Sequence, residues 1–310
     1  MTLTEASSSP EDREHPIEFP LLEKLVGYVK ETDPKVLKKE LLTKAEESPH
    51  VDLTLITDAI NFMEKVHKGD ERKYHHEGET PKPFITHTLA TALMVFELMQ
   101  DKLKGDEQSQ KDFSDAIAVA LLHDAIEDGR MPEEGKPEIR KEDLIEAGFS
   151  QRIADAVEVL SNVRESETPG GKRRPLSHEE YFGNIRAAKD NRELQNLGLE
   201  VIKACDRSTN VLDPFRKVKL EHGVLYQRSQ PGQDTSAKKK KDAYTSRRDH
   251  IENTQTYLYL LLNDNQRASN YMHAVIDLAD LTCQPRFIRT LWKTQLKFKR
   301  FQNRHRDSKK

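Results

Sequence analysis

Helical periodicity decides which folds are open to this chain. Residues 85–103, ITHTLATALMVFELMQDKL, are apolar around most of the helix circumference, as is typical of a helix at the centre of a bundle. In LTLITDAINFMEKVHKG the apolar residues recur at intervals of three and four, Asp52 precedes them as a helix cap, and Gly69 ends the pattern. Because strand-like alternation is not convincing in any segment, the sequence predicts an all-α fold, a helical bundle with additional N- and C-terminal helices.

Changes of composition predict how the 310 residues are organised. Residues 1–16 are rich in Ser, Glu and Pro and are predicted to be disordered. One short helix, FPLLEKLVGYVKET, is predicted in an N-terminal extension over residues 17–50. The main domain is predicted to cover residues 51–265, with a mobile lysine-rich insertion at about residues 230–246. Residues 266–310 are predicted to be a basic helical C-terminal extension.

Charge and cysteine content bear on partners and compartment. The net charge of −3 favours no particular partner, and for the basic C-terminus we favour a helix that packs on the body over nucleic-acid binding. Cys205 and Cys283 support neither a disulfide framework nor a cysteine-based zinc site, so a reducing compartment is expected. No apolar run approaches the roughly 18 residues of a membrane span and no signal-peptide core is found, so a cytoplasmic protein without membrane contact is predicted. The sequence favours no oligomeric state.

The segment LLHDAIED joins an apolar helix to a concentration of charge. A helix is predicted to begin near Asp112 and to run through this segment. Residues three and four apart share a helix face, so Asp124, Glu127 and Asp128 are expected to form one acidic patch, with His123 one turn before Glu127. Since charged groups are rarely buried unless they are paired or bound to a metal, we expect an ion to be bound here.

Further ligands for such an ion have to come from other helices. His87 lies near the start of the apolar helix, in PFITHTLATA, and Asp206 lies where VIKACDRSTNV turns from apolar to polar. Two imidazoles and two carboxylates combine nitrogen with hard oxygen, a set that suits Mn, Fe, Mg or Zn. The sequence therefore predicts a divalent metal site formed by His87, His123, Asp124 and Asp206.

These residues resemble the H…HD…D signature of the HD metal-dependent phosphohydrolase superfamily. Four blocks over roughly residues 52–215 make the resemblance more specific. AINFMEKVHKGDERK is similar to A…A…AH-x-G-Q-x-R-K, PKPFITHTLATA to G-x-P-Y-I-x-H-P-x-x-V-A, AVALLHDAIED to A-A-L-L-H-D-x-x-E-D, and VIKACDRSTNV to I-K-x-A-D-R-x-H-N-x. In this order the blocks resemble the hydrolase domain of RelA/SpoT homologues, the enzymes that degrade the alarmones ppGpp and pppGpp.

The resemblance implies an activity and a role for each matching residue. The expected reaction is removal of the 3′-pyrophosphate of (p)ppGpp, which yields GDP or GTP and pyrophosphate. The resemblance implies one divalent ion, expected to be Mn²⁺, and a hydrolase-only protein, because the patterns of a synthetase domain are not found. The implied metal ligands are His87, His123, Asp124 and Asp206; the implied water-handling residues are Glu127 and Asp128; and the implied nucleotide contacts are Arg72, Lys73, Lys203, Arg207 and Asn210.

Three departures from the family pattern leave alternatives open. The loop RKYHHEGETPKPF is longer than the family's R-K-x-G-x-P-Y, Thr209 stands where the family commonly has His, and LSNVRE replaces L-T-K and leaves Arg164 as the substitute. The metal chemistry is therefore predicted more firmly than the substrate. An HD phosphohydrolase of another nucleotide and a catalytically silent nucleotide-binding regulator are the alternatives.

Overall fold

A computed structural model describes residues 19–72, 81–164, 173–212, 220–221, 224–225 and 269 of the chain. These residues are largely α-helical, which confirms the predicted all-α class. The helices are α1 (Phe19–Lys30), α2 (Pro34–Glu46), α3 (Leu53–Val66), α4 (Ile85–Met99), α5 (Glu107–Leu122), α6 (Ala125–Asp128), α7 (Lys141–Glu146), α8 (Gln151–Leu160), α9 (His178–Asp190) and α10 (Leu199–Leu212), with 3₁₀ turns at Gln100–Lys104 and Pro132–Glu134. Two short antiparallel pairs join β1 (Val163–Arg164) to β2 (Arg174–Pro175) and β3 (Leu220–Glu221) to β4 (Val224–Leu225).

Helix α4 is the centre of the bundle, as its apolar circumference predicted. Every residue from Ile85 to Met99 is buried, and α1, α2, α5 and α10 all pack against it. The second half of α5, from Asp112 to Leu122, is buried as well. Since α3, α4 and α10 all contact α5, the beginning of α4, the end of α5 and the middle of α10 can contribute side chains to one site.

Polar caps define where several helices begin. The Asp52 carboxylate accepts a hydrogen bond from the Leu55 backbone N–H at 2.9 Å, which confirms the predicted cap of α3. Ser150 caps α8 in the same way, and Ser177 and Glu180 form a reciprocal capping box at the start of α9. A cap of this kind stabilises a helix by about 1 kcal/mol, so these short polar sequences set the ends of helices whose middles are held by apolar packing.

The structure corrects the predicted helices in three places. The predicted N-terminal extension contains a second helix, α2, which Asp33 caps and which has Pro34 in its first turn. Helix α5 begins at Glu107 rather than near Asp112, because the Asp106 carboxylate caps it by accepting the Ser109 N–H at 2.9 Å. The helix also does not run through LLHDAIED: α5 ends at Leu122, and α6 is a separate single turn.

The two N-terminal helices are attached to α4 through a buried carboxylate. Glu97, on α4, has a side chain that is 7% exposed and lies 2.7 Å from Lys24 Nζ on α1 and 2.8 Å from Lys44 Nζ on α2. The Tyr28 hydroxyl lies 3.1 Å from the same Glu97 oxygen. Apolar residues of α1 and α2, such as Leu25, also belong to the main buried core. These helices therefore pack on the same core that carries the candidate ligands.

Several predictions concern residues outside the described part of the chain. These are the segment 1–16, for which disorder was predicted, the insertion predicted at about residues 230–246, and the predicted C-terminal extension 266–310 except residue 269. The division into domains stays a prediction. None of the described helices is long and apolar enough to cross a membrane.

Candidate metal centre

Side chains from α4, from the turn between α5 and α6, and from α10 meet at one end of the bundle. His87 lies in the first turn of α4, and His123 and Asp124 follow the last residue of α5. Asp206 lies in the middle of α10. His87, His123 and Asp206 are buried, with 4%, 2% and 3% of their surface exposed. The structure thus brings together four side chains that are 119 positions apart from first to last, which is the difference between 206 and 87.

Three of the four side chains are close enough to share one ion, and Asp206 lies against the two imidazoles of that group. The nitrogen and oxygen atoms that His87, His123 and Asp124 can offer all lie within 4.8 Å of one another. His87 Nε2 lies 3.3 Å from Asp124 Oδ2 and 3.2 Å from Asp206 Oδ1. His123 Nε2 lies 3.3 Å from Asp124 Oδ1 and 3.6 Å from Asp206 Oδ1. Each imidazole therefore turns its Nε2 atom toward both carboxylates.

The backbone orients the His123 ring. His123 Nδ1 lies 2.8 Å from the Ala120 carbonyl oxygen, and because a carbonyl can only accept, Nδ1 carries the proton of this bond. His123 Nε2 is buried and makes no hydrogen bond to any described residue. A buried polar atom without a hydrogen-bond partner is rare in native proteins and calls for a specific explanation. A metal ion bound to Nε2 would supply one, since it takes the lone pair that the Ala120 bond leaves available.

Opposite charges control the ionisation of the cluster. Burial opposes ionisation of Asp124 and Asp206, but the neighbouring His123 holds the pKa of Asp124 well below its ordinary value, and Lys203 with the two imidazoles does the same for Asp206. Burial also opposes protonation of His123, yet the Asp124 and Asp206 carboxylates raise its pKa to about 10. Two ionised carboxylates that favour a proton on the His123 imidazole in this way are equally able to attract a divalent cation. The residues present therefore fit a divalent ion.

Glu127 and Asp128 occupy different environments on α6. Glu127 Oε2 accepts a hydrogen bond from the Asn162 backbone N–H at 2.9 Å, at the end of α8. Burial, and then the negative charge of Asp124, raise the pKa of Glu127 above its ordinary value. Asp128 is exposed at the end of the helix. Arg173 helps to hold α6 in place. It donates hydrogen bonds to the backbone carbonyl of Ile126 at 2.9 Å and to that of Ile139 at 2.6 Å.

Arg72 is connected to the cluster by way of Asn210. Arg72 is buried, and its Nη2 donates a hydrogen bond to Asn210 Oδ1 at 2.8 Å. Asn210 Nδ2 in turn donates to Asp206 Oδ1 at 2.7 Å. The guanidinium also lies over the Phe84 ring at 5.7 Å. The predicted nucleotide contacts Arg72 and Asn210 therefore lie beside the cluster, whereas Lys73 falls outside the described residues.

Lys203 is an internal partner of the cluster. Its Nζ lies 2.6 Å from Asp206 Oδ2 and 4.9 Å from the centre of the Tyr181 ring, and the residue is 6% exposed. Burial disfavours its charge, but Asp206 raises the pKa of Lys203 above its ordinary value. Arg207 is half-buried, close enough to Lys203 for their charges to interact. The predicted role of Lys203 and Arg207 as nucleotide contacts stays a prediction.

Several residues around the cluster escaped the sequence interpretation. Tyr181 lies under Lys203, and its hydroxyl donates to the Leu160 carbonyl at 2.7 Å.

The buried His67 ring stacks on Phe84 with 4.1 Å between ring centres, and its Nδ1 lies 3.1 Å from Asp70 Oδ2. Asp70 also accepts from Arg130 Nη2 at 2.7 Å. His67 and Asp70 lie three apart in KVHKGDER, a spacing at which the pair could have been recognised.

The fold and the site together define an all-α protein with a buried His and Asp cluster suited to a divalent ion. The chain is similar to a GTP pyrophosphokinase of Myxococcus xanthus, with 27% identity over 169 residues. The similar region is 54% of this chain but only 18% of the relative, so the chain spans less than a fifth of that protein's length. No family model and no solved structure matches the chain.

Proposed function

We propose that the protein is an HD-type, metal-dependent phosphohydrolase that removes the 3′-pyrophosphate of (p)ppGpp and releases GDP or GTP and pyrophosphate. The observation that carries the proposal is the convergence of His87, His123, Asp124 and Asp206, with both Nε2 atoms within 3.6 Å of the carboxylates. This donor set suits Mn²⁺, the ion that the proposal assigns to it. A divalent ion held there would supply Lewis acidity toward water and phosphate oxygens.

Glu127 is the proposed general base. Its raised pKa makes it a stronger proton acceptor than an ordinary glutamate, and the Asn162 N–H fixes one of its oxygens. In the proposed reaction a water oxygen forms a bond to the phosphorus next to the 3′ oxygen, and the bond from that phosphorus to the 3′ oxygen breaks. Glu127 takes the proton from the water, and the 3′ oxygen gains one as it leaves. Asp128, exposed beside Glu127, is proposed to help orient the water.

Arg72 is the proposed contact for the guanine nucleotide. Its bond to Asn210 holds the guanidinium next to the cluster, where it can make charge-assisted hydrogen bonds to phosphate. Lys73, Lys203 and Arg207 are proposed to add positive charge around the diphosphates. The name of the Myxococcus xanthus relative denotes pyrophosphoryl chemistry on GTP, which supports a guanine nucleotide. That name also makes synthesis of the alarmone a second candidate function.

The assay is turnover of ppGpp by the purified protein with Mn²⁺, with GDP and pyrophosphate measured as products. Asp124→Asn and Asp206→Asn are expected to lose at least about 100-fold in rate, since even partners of metal ligands contribute 10–100-fold. Asp58→Asn, which removes an exposed carboxylate on α3, is the matched control and should keep wild-type activity.

Each other outcome of this assay points to a named alternative. Rapid turnover of a different nucleotide, with none of ppGpp, would overturn the alarmone assignment and leave the metal chemistry intact. Formation of pppGpp from GTP and ATP would favour the synthetic direction. Nucleotide binding without turnover under any condition would favour a silent regulator.

A further inference from the structure

We infer that Thr209 is a positioning residue that fixes the tautomer of His87, so that the His87 Nε2 lone pair points toward Asp124 and Asp206. The inference rests on the proposed metal site and extends it by one residue. Thr209 lies on α10 and His87 on α4, so the contact joins two helices that are far apart in the sequence. Both residues are buried, with 2% and 4% of their surface exposed.

The hydrogen bonds of the Thr209 hydroxyl decide where the proton lies. The hydroxyl has one proton and lies 2.7 Å from the Asp206 backbone carbonyl oxygen, which can only accept. Two oxygens at this distance require a proton between them, so the hydroxyl donates to that carbonyl. The same hydroxyl oxygen lies 2.6 Å from His87 Nδ1. Because its proton is already engaged, it accepts from Nδ1, and the proton of this second bond belongs to the imidazole.

The protonated Nδ1 leaves Nε2 as the coordinating atom of His87. Nε2 lies 3.2 Å from Asp206 Oδ1 and 3.3 Å from Asp124 Oδ2, on the side of the ring that faces the cluster. His123 has the same arrangement, with its Nδ1 bonded to the Ala120 carbonyl and its Nε2 turned to the carboxylates. The His123 ring is therefore oriented by the backbone and the His87 ring by the Thr209 side chain. Only the contact that orients His87 can be removed by a substitution.

Thr209 also links helix α4 to Asp206, the last candidate ligand along the chain. Its hydroxyl bonds the carbonyl of Asp206, whose carboxylate belongs to the cluster, while it holds the ring of His87. Loss of the hydroxyl would free the His87 ring to rotate or to change tautomer, and it would leave a buried Nδ1–H without its acceptor. Hydrogen-bond partners of metal-bound histidines typically contribute 10–100-fold to metal affinity.

The test is the affinity of the metal-free protein for Mn²⁺, measured by titration calorimetry. Thr209→Val keeps the shape and removes the hydroxyl, and it is expected to weaken Mn²⁺ binding by about 10–100-fold. Thr209→Ser restores the hydroxyl and should bind close to wild type. Thr88→Val is the matched control: Thr88 is fully buried on α4, and its hydroxyl donates to the Ile85 backbone carbonyl at 3.2 Å rather than bonding an imidazole. Its Mn²⁺ affinity should match wild type.

A second measurement needs no variant. In the wild-type protein loaded with diamagnetic Zn²⁺, long-range ¹H–¹⁵N NMR should show His87 Nδ1 as the protonated nitrogen and Nε2 as the metal-bound one. A deprotonated Nδ1 at His87 would overturn the inference, even if Thr209→Val failed to fold. Equal Mn²⁺ affinities for Thr209→Val and wild type would overturn it as well.

The outcome is distinguishable from failure of the proposed reaction. If Thr209→Val binds Mn²⁺ weakly while no nucleotide is hydrolysed, the role of Thr209 stands and the phosphohydrolase assignment falls. If ppGpp is hydrolysed but metal affinity does not depend on the hydroxyl, the reaction stands and the role of Thr209 falls.

Discussion

Glu127 differs from the other carboxylates of the site in the direction in which its pKa is shifted. The pKa values of Asp124 and Asp206 lie well below their ordinary range because positive groups surround them, whereas burial and the nearby Asp124 charge raise the pKa of Glu127. Carboxylates whose pKa values are shifted in opposite directions suit different roles. Those with a lowered pKa stay charged, and the one with a raised pKa is suited to accept a proton. This contrast is the residue-level reason for proposing Glu127 as the base.

Glu127→Gln is expected to reduce kcat by about 10²–10⁴-fold, the usual contribution of a general base. The amide keeps the size of the side chain and can still accept the Asn162 N–H, so the fold and the Mn²⁺ affinity should be unchanged. The measurements are steady-state turnover of ppGpp and calorimetric titration with Mn²⁺. Glu133→Gln, at a side chain that is 79% exposed, is the control. Unchanged kcat in Glu127→Gln would assign proton transfer to another group.

Motif spacing predicted which residue types meet at the site, but not every contact that they make. His87, His123, Asp124 and Asp206 were predicted as one set, and the structure brings them together. Lys203 was predicted as a nucleotide contact, which stays a prediction, and the structure also places its Nζ 2.6 Å from Asp206 Oδ2. That pairing was open to prediction, since the two residues are three apart on one helix. The contact between Thr209 and His87 was not, because it depends on how α10 packs on α4.

At the level of elements, Glu97 is the attachment point of α1 and α2. Two lysines and a tyrosine hydroxyl converge on its carboxylate, and the pKa of Glu97 is lowered because the Lys24 and Lys44 contacts outweigh burial. Glu97→Gln is expected to lower the free energy of unfolding by about 1–2 kcal/mol, since it removes a charge that partly buried cations share. Urea denaturation followed by circular dichroism measures the change.

The control for Glu97 is an exposed ion pair that also joins two helices, α2 and α3. Glu64 pairs with Lys38 at 2.9 Å, with 42% and 30% of the two side chains exposed. Glu64→Gln should change the free energy of unfolding by less than about 1 kcal/mol, as is usual for exposed pairs. Equal effects of the two substitutions would mean that the Glu97 cluster adds nothing beyond a surface contact.

The lowered pKa of Glu97 also gives its contribution a pH dependence. A carboxyl group whose pKa is lower in the folded state stabilises the fold above its ordinary value of 4.5, and this stabilisation is lost as the pH falls through the folded-state value. The difference in unfolding free energy between wild type and Glu97→Gln should therefore be largest near neutral pH and shrink below pH 4.5. Denaturation curves at a series of pH values test this. A difference that grows toward acid would contradict the assigned cause.

Helix periodicity predicted the long elements and missed the ones that depend on local bonds. α3 and α4 follow their apolar patterns, but α2 was missed because its buried residues, Leu37, Leu41 and Ala45, are separated by lysines and glutamates. The end of α5 was also missed, since the ring of His123 bonds the Ala120 carbonyl and the chain turns at Asp124 before α6 begins. This break matters chemically, because it gives His123 and Asp124 a shared direction that neighbours on a continuous helix lack.

At the scale of the whole molecule, the candidate ligands come from α4, from the turn that follows α5 and from α10, which meet at one end of the bundle. The burial of α4 was predictable from composition, and the all-α class followed from periodicity. The meeting of α4, α5 and α10 at the site was not visible in periodicity, because helix packing depends on which faces interlock. It was predicted from polar residues placed in otherwise apolar helices, and more specifically through the resemblance of four sequence blocks to one family. A cluster built in this way should couple metal binding to the stability of the bundle.

Mn²⁺ is therefore expected to raise the unfolding temperature. An ion that binds only the folded state stabilises it by about 2.7 kcal/mol at a concentration 100 times its Kd, and EDTA should reverse the effect. Asp206→Asn should abolish the Mn²⁺-dependent shift, although it also lowers the starting stability by leaving the Lys203 charge buried without its partner. The size of the shift, measured by calorimetry at fixed protein concentration, separates the two effects. Asp58→Asn should keep the full shift, and an unchanged shift in Asp206→Asn would mean that the ion binds outside this cluster.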